Sequence, residues 1–204
     1  MEVVKNNKQD TDNEEIGKSI FGIIALFFLE LIKVVILAGI TIVIVRHFLF
    51  KPFYVKGESM DPTYMEKDYL IINQFSYKIF RQEPERGEVI VFRAPIQQKD
   101  FYLKRIIGLP GERVKVEEGK VIVYNEDHPQ GIVIEEDYLV ETTPGSSSVT
   151  LGSDQYFVLG DNRNASYDSR RFGPINRDSI VGRTWIRGWP FNKLGFLPSP
   201  NYDI

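Results

Sequence analysis

Residues 101–124 read FYLKRIIGLPGERVKVEEGKVIVY, and this stretch decides the fold class. It contains three short runs of mostly β-branched, aliphatic and aromatic residues, at 101–107, 113–116 and 121–124. Pro110, Gly111 and Gly119 separate these runs. Because such runs favour strands and Pro and Gly end them, the stretch predicts consecutive antiparallel strands joined by tight turns.

The same pattern continues on both sides of this stretch. Further runs with strand composition lie at 69–72, 88–92 and 156–159, and only residues 75–80 indicate a short helix. Residues 117–150 are polar and rich in turn residues, and they end in PGSSS at 144–148. We therefore predict a mainly β chain, with an antiparallel β domain over residues 51–204 and a smaller β insertion at about 117–150.

The composition excludes several classes of site. The chain has 204 residues, a formal net charge of -3 and no cysteine, which excludes disulfides, thiolate metal sites and cysteine nucleophiles. Its two histidines, His47 and His128, are far apart in the sequence, so a site with several imidazole ligands is not expected. The acidic balance argues against a nucleic-acid partner. We expect neither a metal nor another cofactor.

A membrane anchor is predicted ahead of the β region. Residues 20–45 read IFGIIALFFLELIKVVILAGITIVIV, and only Glu30 and Lys33 interrupt this apolar run. As a helix it would be about 39 Å long at about 1.5 Å per residue, longer than a hydrocarbon core of about 30 Å. A soluble core helix is seldom apolar on every side over such a length. Either charge would cost about 2.5–3.5 kcal/mol at the bilayer centre, so we place the span late, at about 31–50 of an anchor segment 20–50.

The parts next to the anchor are less informative. Residues 1–19 are polar, and we interpret them as a mobile tail. The apolar run is too long for the core of a cleavable leader and no A-x-A site follows it, so we expect the segment to stay attached. Lysines and arginines lie on both sides of the run, and charge counting therefore leaves the orientation open.

Two segments combine residues suited to nucleophilic catalysis. Residues 53–63 read FYVKGESMDPT, in which a glycine and a proline place Ser59 at a turn that exposes its hydroxyl and its backbone N–H together. On the predicted strand 101–107, alternation puts Lys104 on one face with Tyr102 and Ile106. Such surroundings lower a lysine pKa, and a pKa near 8 would leave roughly a tenth of the amine neutral at pH 7. The alternatives to catalysis are a serine that only forms part of a turn and a strand lysine whose amine reaches solvent.

A third segment, residues 160–170, reads GDNRNASYDSR. Its small polar side chains are typical of a locally hydrogen-bonded turn. Their oxygens also allow a calcium loop, although the two arginines, Arg163 and Arg170, and the absence of a closing glutamate argue against calcium.

Taken together, the motifs closely resemble those of bacterial type I signal peptidases, the membrane-bound serine–lysine proteases, and of their Gram-positive branch in particular. The matching motifs, in chain order, are RHFLFKP at 46–52, GESMDPT at 57–63, RGEVIVF at 86–92, KRIIGLPGE at 104–112, GDNRNASYDSR at 160–170 and VGRTWIRGWPFN at 181–192. The resemblance implies a signal-peptidase-like, partly barrel-like antiparallel β domain preceded by one transmembrane helix.

The resemblance also implies roles for individual residues. Ser59 matches the nucleophile and Lys104 the general base, while Ser166 matches the serine that orients the lysine amine. Polar partners that shape the site are implied at Arg105, Asp161, Asp168 and Arg170. The backbone N–H of Ser59 matches one oxyanion donor, and because Gly57 stands where some relatives have a serine, the second donor is left open.

The implied substrate is an extended signal peptide that binds beside the strand before the nucleophile. Its contacts are expected from Phe53, Tyr54, Val55, Lys56, Met60, Tyr102 and Ile106. The family cuts exported preproteins after small residues at the first and third positions before the cut. The resemblance also implies a single-pass protein of the cytoplasmic membrane, with its N-terminus in the cytoplasm and its catalytic domain outside. The implied further partners are the lipid bilayer and, by proximity, the secretion translocon.

Three other functions are alternatives to this one. Self-cleavage by the same chemistry, as in SOS-response repressors, would need an accessible Ala-Gly or Cys-Gly pair, and the only such pair, Ala38-Gly39, lies in the anchor. A dedicated protease for a single pilus or conjugation precursor remains an alternative. A membrane-tethered β binding module without catalysis is the third, and it would be expected to lack Ser59 or Lys104.

Overall fold

The structure is a computed structural model that describes residues 2–44, 50–96, 99–197, 199–200 and 202. The chain divides into two compact units, Met1–His47 and Phe48–Ile204. Residues 45–49, which include His47, most of the RHFLFKP motif and part of the predicted span, lie outside the described residues.

The first unit is one long helix, α1, over Glu2–Ile44. Its segment Gly22–Val43 has a mean hydropathy of 2.6 and is long and apolar enough to cross a membrane. The predicted span at 31–50 continues beyond residue 44, so its placement stays a prediction. Residues 2–19 are helical, which is compatible with a stretch that contains no proline and only one glycine, Gly17. The mobility expected for residues 1–19 stays a prediction.

The second unit is built on an eight-stranded antiparallel sheet. The strands of this sheet are β1 (Phe50–Tyr54), β2 (Tyr69–Asn73), β3 (Val89–Arg93), β4 (Phe101–Gly108), β9 (Gln155–Leu159), β10 (Ile175–Asn176), β11 (Ile180–Trp189) and β12 (Gly195–Phe196). They run in the order β1-β2-β11-β3-β4-β9-β10, and β12 pairs with β11. Two short helices, α2 (Phe75–Lys78) and α3 (Ser169–Phe172), connect strands of this sheet.

A smaller four-stranded sheet is inserted between β4 and β9. Its strands are β5 (Arg113–Glu117), β6 (Lys120–Tyr124), β7 (Ile132–Val133) and β8 (Ser147–Thr150), in the order β7-β6-β5-β8. The small sheet therefore already begins at residue 113, ahead of the predicted boundary at 117. The predicted fold class, mainly antiparallel β with a smaller β insertion and an N-terminal apolar helix, is confirmed.

The core explains why consecutive residues are buried in the second half of β4 and along β9. Side chains of the small sheet, such as Val114 and Val123, pack with Ile107, Phe157 and Leu159 of the large sheet in one cluster. The central strands of the large sheet are thus buried on both faces, whereas β5 and β6 alternate buried and more exposed positions.

Candidate active site

Ser59 and Lys104 meet in the second unit although 45 positions separate them in the chain. The amine Nζ of Lys104 donates a hydrogen bond to the Ser59 hydroxyl at 2.7 Å and another to the Leu103 carbonyl oxygen at 2.9 Å. The distance between Nζ and Oγ allows direct proton transfer between the two groups.

The turn around Ser59 is held by backbone contacts. Gly57 has a φ of 83°, a value at which a side chain would be strained. The Asp61 N–H donates to the Glu58 carbonyl oxygen at 3.1 Å, and the Asn162 N–H donates to the Ser59 carbonyl oxygen at 3.1 Å. The serine is therefore held by its own turn and by the loop 160–170, which we name the polar loop.

Lys104 lies in surroundings that disfavour its charge. It is buried in β4, with its amine 5.8 Å from the centre of the Tyr102 ring. Burial lowers the pKa of Lys104 to about 8, and the charges of Asp168 and Asp161 oppose this shift without cancelling it. Roughly a tenth of the amine is then neutral at pH 7, enough to serve as a base.

Four of the predicted polar partners form two ion pairs around the polar loop. Arg105 binds Asp161 through two hydrogen bonds of 2.8 and 2.6 Å, and both side chains are almost completely buried. Arg170 binds Asp168 in the same bidentate way, with both distances 2.8 Å. Asp168 also accepts the Gly160 N–H at 3.1 Å. These pairs shape the loop, and none of the four forms a hydrogen bond with Ser59 among the described residues.

Ser166 lies in the polar loop and is buried. Its hydroxyl has no hydrogen-bond partner among the described residues, and the Lys104 amine donates to Ser59 and Leu103. Its role in orienting the lysine therefore stays a prediction.

A cavity of about 660 Å³ opens beside the two residues. One wall consists of residues 53–60 and the other of residues 99–104, and Leu70, Val91 and two residues of the polar loop, Ala165 and Tyr167, also line the cavity. The first wall continues β1, which is an outer strand of the large sheet. In the second wall, residues 101–104 pair with β3, whereas pairing of β4 with β9 begins only at Arg105. The cavity thus lies between two strand segments that each have one unpaired edge.

Six of the seven predicted substrate contacts line the cavity, namely Phe53, Tyr54, Val55, Lys56, Met60 and Tyr102. Ile106 does not, and its prediction as a pocket wall is wrong: its side chain is completely buried in the core with Ile90 and Phe92. Alternation places Ile106 on the same face as Lys104, but at its position β4 already has neighbours on both sides.

Sequence reasoning also missed several lining residues. The lining residues that were predicted neither as catalytic residues nor as substrate contacts are Gly57, Glu58, Leu70, Val91, Lys99, Asp100, Phe101, Leu103, Ala165 and Tyr167. Ala165 and Tyr167 flank Ser166 within a motif that was recognised, so that motif could have indicated them. Leu103 could not be found in this way, because alternation places it on the face opposite Lys104.

Comparisons with known proteins identify the family of this chain. The family model of signal peptidases, peptidase S26, matches residues 28–189. A probable signal peptidase I-2 of Synechocystis is 39% identical over 176 residues, covering 83% of this chain and 77% of that protein. Signal peptidase IB of Staphylococcus aureus is 36% identical over 185 residues, covering 84% of this chain and 95% of that protein.

Among solved structures, the crystal structure of a signal peptidase I from Enterococcus faecalis is similar over 50% of this chain and 97% of that chain, with 31% identity and a TM-score of 0.44. The family expected from the sequence motifs is confirmed by the family model and by the two relatives. This chain therefore belongs to the signal peptidases of peptidase family S26.

Proposed function

We propose that this chain is a membrane-anchored serine endopeptidase that removes N-terminal signal peptides from exported preproteins, with Ser59 as nucleophile and Lys104 as general base. The observation that carries the assignment of residues is the 2.7 Å contact between a buried amine and the serine hydroxyl. The names of the relatives, signal peptidase I-2 and signal peptidase IB, support the substrate class.

The reaction is an acyl transfer. The neutral Lys104 amine takes the proton of the Ser59 hydroxyl while Oγ attacks the scissile carbonyl carbon. The tetrahedral intermediate collapses when the C–N bond breaks, and the lysine ammonium gives its proton to the leaving amine. An ester joins Ser59 to the signal peptide. Water, deprotonated by the same amine, then hydrolyses that ester and restores the hydroxyl.

The developing oxyanion needs hydrogen-bond donors. Among the described residues, the Ser59 N–H donates to no backbone or side-chain acceptor, so this group is free to bind the oxyanion. Gly57 offers no hydroxyl as a second donor. The geometry therefore supports one donor of the oxyanion hole and leaves its partner unassigned.

The cavity suits an extended peptide. Two unpaired strand edges face it, so a substrate strand can hydrogen-bond to the backbone of residues 53–56 and 101–104 by β-augmentation. The rings of Phe53 and Phe101, one from each wall, are in edge contact at 5.5 Å. The two walls therefore meet at this point, and we expect small residues at the first and third positions before the cut.

The helix α1 is the proposed anchor, with Gly22–Val43 as its apolar part. We place the N-terminus in the cytoplasm and the β domain outside, in a single-pass arrangement in the cytoplasmic membrane. In this position the enzyme contacts the lipid bilayer and works close to the translocon, where signal peptides emerge. An inactive binding module is disfavoured because Ser59 and Lys104 are present and hydrogen-bonded. A protease for one pilus or conjugation precursor is not favoured by the names of the relatives.

The full-length protein in detergent, mixed with a preprotein that carries a signal sequence, tests the proposal. The parent should release the mature protein, whereas Ser59→Ala and Lys104→Ala should lose nearly all cleavage. Lys115→Ala is the matched control, because this lysine lies in β5 of the small sheet and forms an ion pair with Glu117. Cleavage by Ser59→Ala at the parental rate would refute the assignment of the nucleophile.

A preprotein with bulky residues at the first and third positions before the cut tests the substrate class. It should resist cleavage by the parent enzyme. Equal cleavage of both preproteins would contradict the proposed recognition of signal peptides.

A further inference from the structure

The long connection between β7 and β8, residues 134–146, packs against the polar loop. We name this connection the strap. It belongs to the small sheet and does not line the cavity. Its contacts with the polar loop are nevertheless made by buried, charged side chains, and these contacts are unexplained by the proposed mechanism.

The central contact of the strap is an ion pair between Glu136 and Arg163. Two hydrogen bonds of 2.8 and 2.5 Å join the guanidinium to the carboxylate, and the two side chains are 0% and 6% exposed. The Thr143 hydroxyl, also from the strap, accepts a further hydrogen bond from the same guanidinium. Arg163 Nε donates to the Gly160 carbonyl oxygen at 3.0 Å. The strap therefore fixes Arg163, and Arg163 in turn holds the beginning of the polar loop.

Two more contacts join the strap to the site. Arg170 donates to the Pro144 carbonyl oxygen at 3.1 Å and to the Arg163 carbonyl oxygen at 2.7 Å. The Tyr138 ring lies 4.2 Å from the guanidinium carbon of Arg105, the residue that binds Asp161. Both of the ion pairs that shape the polar loop thus have a neighbour in the strap.

The position of the polar loop matters for the reacting groups. Its Asn162 N–H binds the Ser59 carbonyl oxygen. Its Asp161 and Asp168 are the charged groups whose fields act on Lys104. Burial, the largest influence on that amine, also depends on how closely the neighbouring segments pack. A shift of the polar loop would therefore change both the distance between the Lys104 amine and the Ser59 hydroxyl and the contact of this amine with water.

We infer that Glu136 is a positioning residue for peptide-bond cleavage, which acts by clamping Arg163 so that the polar loop stays against Ser59 and Lys104. The inference rests on the proposed function of these two residues. A bidentate ion pair fixes both the distance and the orientation of its partners, which an apolar contact does not. The small sheet is then a support for the catalytic geometry.

The test compares Glu136→Gln with the parent in the cleavage assay, on the full chain in detergent. We expect kcat to fall by about tenfold or more, because a misplacement of reacting groups by about 1 Å can cost about a hundredfold in rate. KM should change by less than about threefold, because no strap residue lines the cavity. The pH at which kcat/KM is half-maximal should rise, because a loosened loop admits water to Lys104 and reduces the effect of burial on its pKa.

Two further variants separate positioning from folding. The double variant Glu136→Leu with Arg163→Met removes both charges and keeps apolar bulk, so the fold is retained without a buried lone charge. It should show the same loss of kcat at parental thermal stability. Glu117→Gln, which removes a partly exposed carboxylate of the same sheet, is the matched control and should leave kcat and the pH profile unchanged.

A folded double variant with the kcat and pH profile of the parent would overturn the inference. So would a loss confined to KM. Ser59→Ala in the same assay separates a failure of the proposed function from a failure of this inference. Activity in Ser59→Ala would refute Ser59 as the nucleophile. An inactive Ser59→Ala together with a fully active double variant would refute only the role of Glu136.

Discussion

Gly160 is packed so closely against Ser59 that a side-chain carbon at position 160 would overlap the Ser59 carbonyl oxygen. The same added carbon would also overlap the Ser166 hydroxyl. The polar loop therefore approaches the nucleophile to a distance that only glycine allows. Because the overlapping atom of Ser59 belongs to the backbone, the overlap could be relieved only by moving the loop or the turn that carries the serine.

Gly160→Ala should consequently reduce cleavage strongly. A displacement of about 1 Å between reacting groups can lower the rate about a hundredfold, and we expect a loss of that order in kcat. Gly195→Ala is the control, since an added carbon there meets nothing within 4 Å. Rate measurements on both variants with one preprotein check the prediction. Parental kcat in Gly160→Ala would show that the close packing does not govern the reaction.

The rate should depend on pH through Lys104. Burial lowers the pKa of this amine to about 8, and only the neutral form accepts the serine proton. We therefore expect kcat/KM to rise with pH, to be half-maximal near pH 8 and to level off above it. A profile of kcat/KM between pH 5 and 10 measures this. A rate that stays constant down to pH 5 would point to a different base.

Lys104→Met should make the folded protein more stable at pH 7 while it abolishes cleavage. The unfolded lysine binds a proton below its ordinary pKa of 10.5, whereas the folded one does so only below about 8. The folded state of the parent therefore loses stability as the pH falls through this window. Below it, the cost amounts to about 3 kcal/mol, since each pKa unit corresponds to about 1.4 kcal/mol.

Urea unfolding checks this gain in stability. Trp185 and Trp189, the only tryptophans, both lie in β11, so their fluorescence reports on the β domain. The advantage of Lys104→Met over the parent should be largest at pH 7 and should disappear above about pH 10.5, where the amine is neutral in both states. An advantage that is the same at both pH values would mean that packing, and not charge, is responsible.

Asp161→Asn should destabilise the β domain by about 3–5 kcal/mol, because it leaves the buried guanidinium of Arg105 without its carboxylate. Glu83→Gln provides the comparison. Its partner Arg177 lies 3.3 Å away, and the glutamate side chain is 76% exposed, so a loss of less than about 1 kcal/mol is expected. Unfolding curves of the two variants measure the difference. Similar losses in both would contradict the importance of burial for this pair.

Local sequence patterns predicted the strands that are rich in β-branched, aliphatic and aromatic residues. The runs in β2, β3, β4, β5, β6 and β9 were all located to within about two residues of the observed bounds. The two-residue strands β7, β10 and β12 were not predicted from composition, because such short runs obtain their conformation from the partner strand. In β11, Arg183 and Arg187 interrupt the apolar pattern, yet the strand pairs with both β2 and β3.

The candidate site was predictable to the extent that motifs mark it. Ser59 and Lys104 stand in motifs that indicate them, and the structure places them side by side. Ile106 was wrongly predicted to line the cavity. Strand alternation indicates which face a residue occupies, but it does not indicate how far the neighbouring strands extend. Glu136 lies in a polar stretch without a motif, 27 positions from Arg163, and nothing in the sequence connects the two.

The order of residues along the chain alone determined the β class, the apolar helix and the family, because composition, periodicity and short motifs are local properties. Only the tertiary structure decided that one particular amine is dry and lies 2.7 Å from one particular hydroxyl. The physical reason is that desolvation and proton transfer depend on atoms from distant segments, here β4, the turn at Ser59 and the polar loop, and their approach is set by packing in three dimensions.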